Sequence, residues 1–164
     1  IINTTYTNPN LGLKKKYKIK YEVAAMVKIK NTLKNNAITI MDGQFVSLYP
    51  RNKREASISS VKYTPFKKFR KLSNLNKYLI SAKKNKKKIE RKIIDHSQKF
   101  FNNKIKIISK GLILAPKVKV LNDKSSERVS LVEKNFKTLS VLCGKLDAAP
   151  LAYKKIKSII KKNN

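Results

Sequence analysis

A regular alternation of apolar and polar residues marks the first predicted element of the chain. Between Tyr17 and Ile29 every odd-numbered position is apolar, while Lys and Glu occupy most of the even-numbered positions. Successive side chains of a strand point to opposite faces of a sheet, so residues on one face share their parity. The pattern therefore predicts a long strand over 17–29 with its odd-numbered face buried.

Two shorter apolar segments follow, at 37–41 and 44–49. The Asp42-Gly43 pair between them is a strong signal for a tight hairpin turn, and Pro50 lacks the N–H that would extend the ladder. Together with the first strand, these segments predict an antiparallel meander that has one apolar face.

Such a meander needs further strands or a helix to cover its apolar face. We therefore expect an α+β fold, in which a small antiparallel β-meander or barrel-like sheet packs with amphipathic helices and carries basic extensions. The predicted organisation is an N-terminal extension over 1–16, the meander over 17–50, a basic connector over 51–71 and a last segment over 72–164. The last segment holds a basic helix, a second hairpin and C-terminal helices that pack on the same core.

Helical periodicity begins at Leu72, where apolar residues start to recur three and four positions apart. This stripe predicts an amphipathic helix, and the opposite face of the helix carries the run KKNKKK at 83–88. The apolar members of the stripe are Leu72, Leu75, Leu79, Ala82, Ile89, Ile93 and Phe100.

The remaining sequence predicts one hairpin and two helices. The hairpin is expected to pair 104–108 with 111–121. One helix begins near Ser125 and the other after Asp147. The first would place Val129, Val132, Phe136 and Leu139 on one face, and the second would bury Leu151, Ile156, Ile159 and Ile160.

The charge of the chain adds a partner to this picture. Lys and Arg number 40 against 9 Asp and Glu, which gives a net charge of +31 over 164 residues. A soluble domain of this size needs a net charge of only about 2–8, and a large surplus of one sign weakens the compact state through self-repulsion. The excess therefore predicts a densely negative partner, and nucleic acid is the first candidate.

The positive charge is concentrated between Lys67 and Lys92, where twelve Lys and Arg accompany the single acid Glu90. A solvated helix face normally alternates its charges to form pairs, so a run without balancing acids favours contact with RNA or DNA. The predicted RNA-binding residues are Lys62, Lys67, Lys68, Arg70, Lys71, Lys77, Lys83, Lys84, Lys86, Lys87, Lys88, Arg91, Lys92, Lys154, Lys155, Lys161 and Lys162.

The type of basic residue indicates how the partner is bound. Only 5 of the 40 are Arg; Lys is a strongly hydrated point charge, whereas Arg makes bidentate and stacked contacts. Contacts to backbone phosphates are therefore favoured over contacts to base edges. Arg70 is the favoured position for a more specific contact because Phe66 and Phe69 flank it, and these two rings either stack on bases or pack in the core. The other candidates are Arg51, Arg54 and Arg91.

Candidate catalytic or metal-binding groups are sparse. Cys143 and His96 are the only residues of their types, so the chain cannot by itself build a disulfide or a Cys/His metal site. His96 lies beside Asp95, a pair that could serve acid–base chemistry, but no nucleophile or second His accompanies them. We therefore expect no enzyme activity, no cofactor and no small-molecule substrate. No apolar run reaches the roughly 18–20 residues that span a bilayer, so no membrane partner is expected either.

The composition is rich in Lys, Asn and Ile and lacks Trp, which indicates an AT-rich gene and resembles the composition of organelle-encoded ribosomal proteins. The resemblance implies a structural constituent of a ribosome, expected in the mitochondrial matrix, that binds rRNA and neighbouring ribosomal proteins. Another organelle, or the cytoplasm of an AT-rich organism, is the alternative location. The alternative functions are a DNA-binding nucleoid or chromatin-like protein and, ranked last, an RNA-processing subunit that uses His96 or Asp95.

Overall fold

The computed structural model describes residues 1–31, 33–41, 43–81, 83–101, 107–121, 130–142 and 148–162, with the backbone alone for 83–85. It confirms an α+β fold, and its sheets are not closed into a barrel. Within the described ranges the strands are β1 (Ile2–Asn3), β2 (Ile19–Lys30), β3 (Ile38–Ile40), β4 (Val46–Pro50), β5 (Glu55–Ser60), β6 (Lys67–Phe69), β7 (Ser109–Val120), β8 (Leu131–Asn135) and β9 (Thr138–Leu142), and the helices are α1 (Leu72–Ser81), α2 (Lys83–Gln98) and α3 (Ala149–Lys161).

The chain forms two compact units. The central unit comprises 22–116, and the terminal unit comprises 1–21 together with 117–164. The prediction that all of 72–164 packs on the same core as the meander is therefore wrong, because the residues from 117 onward belong to the terminal unit.

The central unit is organised around a sheet in the order β3-β4-β5-β2-β6, in which β7 also pairs with β2. The alternation predicted for the first long strand is confirmed in β2, where Ala25, Val27 and Ile29 are at most 1 % exposed. They form one hydrophobic core with Leu48 of β4 and Ile58 of β5. The apolar face of this sheet is therefore covered, as its pattern requires.

The prediction of a basic connector over 51–71 is wrong. That segment contains β5, which lies between β4 and β2 and pairs antiparallel with both, so β2 does not neighbour β3 in a consecutive meander. The signal for β5 is weak because its sequence EASISS has one large apolar residue, Ile58, while its other inward positions hold Ala56 and Ser60. A 3₁₀ turn at Val61–Tyr63 and then β6 follow in the same segment.

The helical stripe from Leu72 is confirmed, but it is divided between α1 and α2. Leu75 of α1 and Ile93 of α2 are completely buried, at 0 % exposure. Most other members of the stripe, namely Leu72, Leu79, Ile89 and Phe100, are half-buried, and Ala82 lies outside the described residues.

The terminal unit contains a second sheet in the order β1-β9-β8. Because β1 pairs parallel with β9, the first residues are part of a sheet, and the prediction of an N-terminal extension over 1–16 is wrong there. Asn3 of β1 is buried, and its side-chain amide donates to Ser140 Oγ at 3.2 Å.

The helix predicted from Ser125 is wrong wherever the structure describes that segment. β8 and β9 form an antiparallel hairpin instead, and Phe136 stands at its turn with φ of 47° and 84 % exposure. The helical spacing of Val132, Phe136 and Leu139 is fortuitous, because Val132 and Leu139 are buried from two neighbouring strands. Val129 lies outside the described residues.

The last predicted helix is confirmed as α3, but its buried face is narrower than predicted. Ala152 is buried, and Ile156 and Ile159 pack with it against the β8–β9 hairpin. Leu151 and Ile160 are instead 64 % and 45 % exposed.

The second predicted hairpin is tested only in part. Residues 111–120 lie within the single long strand β7, whereas 104–106, which begin the expected partner strand, lie outside the described residues.

Candidate nucleic-acid interface

Helix α2 is fixed to the central sheet by one narrow face. Ile93 and Ser97 are both 0 % exposed, and residues four apart lie on the same side of a helix. Ile93 belongs to the same core as Ile58 of β5, while the Ser97 hydroxyl donates to the Ile93 carbonyl at 2.6 Å. This anchoring decides which side chains of α2 face the solvent.

The opposite face of α2 is basic and open to solvent. Lys87, Lys88, Arg91 and Lys92 are all exposed, and within the described ranges none of them forms an ion pair. We call these four residues the α2 cationic face. Asp95 is the exposed acid on this side of the helix, so the four cations outnumber it and the face keeps a net positive charge.

The single acid in the basic run lies at the edge of this face, because Glu90 and Asp95 line one open depression with Lys87 and Arg91. Glu90 is half-buried, and its carboxylate accepts a hydrogen bond from the Ser109 hydroxyl at the start of β7. A hydrogen bond from a neutral hydroxyl leaves the carboxylate charged, so Glu90 offsets part of the positive charge around it.

The remaining predicted cations of the central unit that lie outside α2 are also exposed. Three further predicted cations belong to α2. Lys83 and Lys84 belong to the first turn of α2, where only the backbone is described, and Lys86 is half-buried. The exposed set outside α2 consists of Lys62, Lys67, Lys68, Arg70, Lys71 and Lys77.

Two of the predicted cations lie near one aromatic ring, that of Tyr63. The ammonium groups of Lys62 and Lys92 each lie 5.8 Å from the centroid of its ring, a distance at which the face of an aromatic ring attracts a cation. Lys62 follows β5 and Lys92 belongs to α2, so the fold places residues that are thirty positions apart in the sequence beside the same ring.

His96 is held by a hydroxyl, and the pairing with Asp95 considered from sequence is wrong. Its Nδ1 lies 3.0 Å from Ser60 Oγ, while Asp95 is exposed on the neighbouring side of the helix. The Tyr63 and Phe100 rings meet the imidazole edge-on. Burial, and then the nearby charges of Lys62 and Lys99, lower the pKa of His96.

The two aromatics considered for base stacking form a cluster with Tyr78 of α1. The ring centroid of Phe69 lies 5.4 Å from that of Tyr78, and the centroid of Phe66 lies 6.3 Å from it. Phe66 also packs against the central core, which favours core packing for this ring. Base stacking by Phe69, which is half-buried, stays a prediction.

The C-terminal predicted cations form a separate group on α3 in the terminal unit. Lys157 belongs to this group although the sequence did not single it out, and its ammonium lies 5.9 Å from the Tyr153 ring centroid. The exposed members are Lys154, Lys155, Lys157, Lys161 and Lys162.

A further basic hollow lies at the turn between β4 and β5, where Lys53, Arg54 and Lys110 line an open depression with Asn52 and Glu55. The Asn52 side-chain oxygen accepts the backbone N–H groups of Arg54 and Glu55, each at 2.8 Å, which fixes the turn. Arg54 was among the arginines considered for specific contacts. Lys53 and Lys110 were missed because pairing of distant strands, which no local pattern reveals, brings them together.

The described residues contain no group of three His, Cys, Asp or Glu side chains that could hold a metal ion. None of their helices has the length and apolarity required to cross a bilayer.

Comparison with known proteins adds no family to these observations. No family model matches the chain, and neither the curated proteins nor the solved structures contain a significant match. What this chain binds must therefore be inferred from its own surfaces.

Proposed function

We propose that this protein is a structural constituent of a ribosome, in mitochondria, that binds rRNA by neutralising phosphates with Lys-rich surfaces. The observation that carries the proposal is the α2 cationic face, which consists of Lys87, Lys88, Arg91 and Lys92 on a helix whose other side is anchored in the core. An array of cations that is fixed in place and outnumbers the acids beside it suits a partner with closely spaced negative charges.

The chemistry of the array favours a structural role. Three of the four residues are Lys, which contacts phosphate as a point charge rather than reading a base edge. Such contacts set the position and orientation of a protein on folded RNA without requiring a particular sequence.

The proposal is tested by sedimentation of the native protein from organelle lysate, with and without RNase, in a high-salt buffer that removes loosely held proteins. We expect the protein to migrate with one ribosomal subunit and to leave that fraction after RNase treatment. Migration as a free species would overturn the proposal. Migration with DNA that RNase does not change would replace it with the nucleoid function.

A charge-reversal variant locates the interface. Replacing the α2 cationic face by Glu should remove the protein from the ribosomal fraction, while folding is retained because the four positions are exposed and Glu is a good helix former. The matched control reverses the same number of exposed lysines elsewhere, at Lys14, Lys15, Lys16 and Lys137. Equal losses in both variants would show that net charge alone drives binding and that α2 is not the interface.

A further inference from the structure

The central sheet has a second face, opposite the one that α2 covers. Inward residues of β4 and β5 are Val46, Leu48, Ala56 and Ile58, all in the hydrophobic core. Their neighbours in sequence point to the other side, since successive side chains of a strand alternate. That other side carries mostly hydroxyl groups, from Thr39, Ser47, Tyr49, Ser57 and Ser59.

The strand register places an aromatic ring, a hydroxyl and a cation in one row across this face. Ser57 of β5 pairs with Tyr49 on β4 and with Lys28 on β2. Because neighbouring strands lie about 4.8 Å apart, the Cα atoms of Tyr49 and Lys28 are about 10 Å apart, and both side chains lie on the same side of the sheet. The adjacent row pairs Thr39 with Ser47 and Ser47 with Ser59.

Tyr49 is the large exposed group of this surface, with 46 % of its area open to solvent. Its hydroxyl lies 2.9 Å from the Thr39 hydroxyl, a bond that restrains the ring. Hydrogen bonds from Thr39 and then Ser47 lower the pKa of the Tyr49 hydroxyl, which agrees with a phenol oxygen surrounded by donors. Ser47 and Ser57 beside the ring are buried, at 5 % and 7 % exposure, so the groups of this face that a ligand can reach are Tyr49, Thr39 and the half-buried Lys28 and Ser59.

We propose that the hydroxyl-rich face of the central sheet, defined by Lys28, Thr39, Tyr49 and Ser59, binds a single-stranded segment of RNA. An unpaired base stacks on Tyr49, the Thr39 and Ser59 hydroxyls bond ribose or base edges, and Lys28 contacts a phosphate. Single-stranded RNA is the fitting partner because its bases are free to leave the stack and lie on an aromatic ring. The inference rests on the proposed RNA-binding function and adds a surface distinct from the α2 cationic face.

The test compares a single-stranded oligoribonucleotide of about 12 nucleotides, within the length that such platforms cover, with an RNA duplex of the same length. Binding is measured by fluorescence anisotropy of the labelled RNA. Tyr49→Leu should weaken single-strand binding by about fivefold or more, the range expected for loss of one stacked base, and should leave duplex binding unchanged. Tyr49→Phe, which keeps the ring, should retain most of the single-strand affinity.

Phe136→Leu is the matched control, because Phe136 is an exposed aromatic on the β8–β9 turn outside both proposed surfaces. It should bind both RNAs as the unchanged protein does. Equal single-strand affinity for Tyr49→Leu and the unchanged protein would overturn this inference while leaving the α2 interface intact. Loss of duplex and single-strand binding by the same factor would also overturn it, since stacking acts on the single strand alone. Failure of the unchanged protein to bind either RNA would instead defeat the proposed function.

Discussion

His96 illustrates how one residue reports on the packing of α2 against the turn after β5. Burial, aided by the charges of Lys62 and Lys99, lowers its pKa below the ordinary value of 6.5. In the unfolded chain the imidazole gains a proton as the pH falls through about 6.5, whereas in the folded chain it resists protonation to a lower pH. The unfolded state therefore binds more protons in this window, and the free energy of unfolding decreases as the pH falls.

We expect the urea concentration at the midpoint of unfolding to decrease when the pH is lowered from 7.5 to 5.5. His96→Gln should make the midpoint less dependent on pH. The interpretation is direct because the chain has a single His. A midpoint that rises on acidification, or a dependence that persists unchanged in the variant, would contradict the assigned environment of His96.

Ile93 and Ile80 show how differently two isoleucines of neighbouring helices contribute to stability. Ile93 is 0 % exposed in the central core, while Ile80 of α1 is 81 % exposed. Ile93→Ala should lower the free energy of unfolding by about 2–5 kcal/mol, because it removes buried methyl groups and leaves a cavity. Ile80→Ala should change it by less than about 0.5 kcal/mol. Chemical denaturation of both variants makes the comparison, and a similar effect of the two substitutions would refute this packing of α2.

At the scale of elements, the short strand β1 makes the first residues part of the terminal sheet. The Asn3 amide donates to Ser140 Oγ and to the Asn8 carbonyl, and the Leu139 N–H donates to the Ile1 carbonyl at 2.8 Å. Asn3→Ala removes these bonds, while Ser140 keeps its bond to the Pro9 carbonyl, so the substitution should lower the free energy of unfolding by about 0.5–1.5 kcal/mol, the net contribution of an ordinary hydrogen bond. The exposed neighbour Thr4 provides the control Thr4→Ala, which should be close to neutral.

Amide hydrogen exchange gives a second measurement of the same strand. The Leu139 amide should be protected in the unchanged protein and should exchange faster in Asn3→Ala. Rapid exchange at Leu139 in the unchanged protein would show that β1 is not paired with β9.

The elements that could be predicted from sequence are those whose structure is determined mainly by their own residues and little by distant partners. β2 follows from its strict alternation, and the α1 and α2 stripes follow from their helical spacing. β5 could not be predicted because Ala56 and Ser60 are buried only by virtue of strands and helices that surround them. The β8–β9 hairpin was mistaken for a helix because its turn at Phe136 places apolar residues at helical spacing.

At the scale of the whole molecule, charge density predicts a polyanionic partner, but only the fold shows how the charges are arranged. The exposed cations of α2 follow from the stripe that buries Ile93, so the exposure of this part of the proposed interface was predictable. The convergence of Lys62 with Lys92 at Tyr63, and the row that joins Tyr49 to Lys28, depend on strand order and register. Sequence spacing contains no direct record of either.

The proposed RNA binding has a test in its salt dependence, which counts the phosphates that a protein neutralises. Each phosphate contact releases condensed counterions, so the logarithm of the binding constant falls linearly with the logarithm of salt concentration. Substituting Gln at Lys87, Lys88, Arg91 and Lys92 removes charge without adding repulsion. We expect each lost phosphate contact to reduce the magnitude of the slope by about 1, and therefore by up to about 4 in total.

Binding to an RNA duplex, titrated between about 50 and 200 mM salt, provides this slope. The control variant carries Gln at Lys14, Lys15, Lys16 and Lys137, which are also exposed. Its slope should remain close to that of the unchanged protein, because counterion release depends on cations that touch phosphates rather than on net charge. Identical slopes for the two variants would mean that the α2 cationic face holds no phosphate. A reduction confined to the α2 variant would place this helix against the RNA backbone.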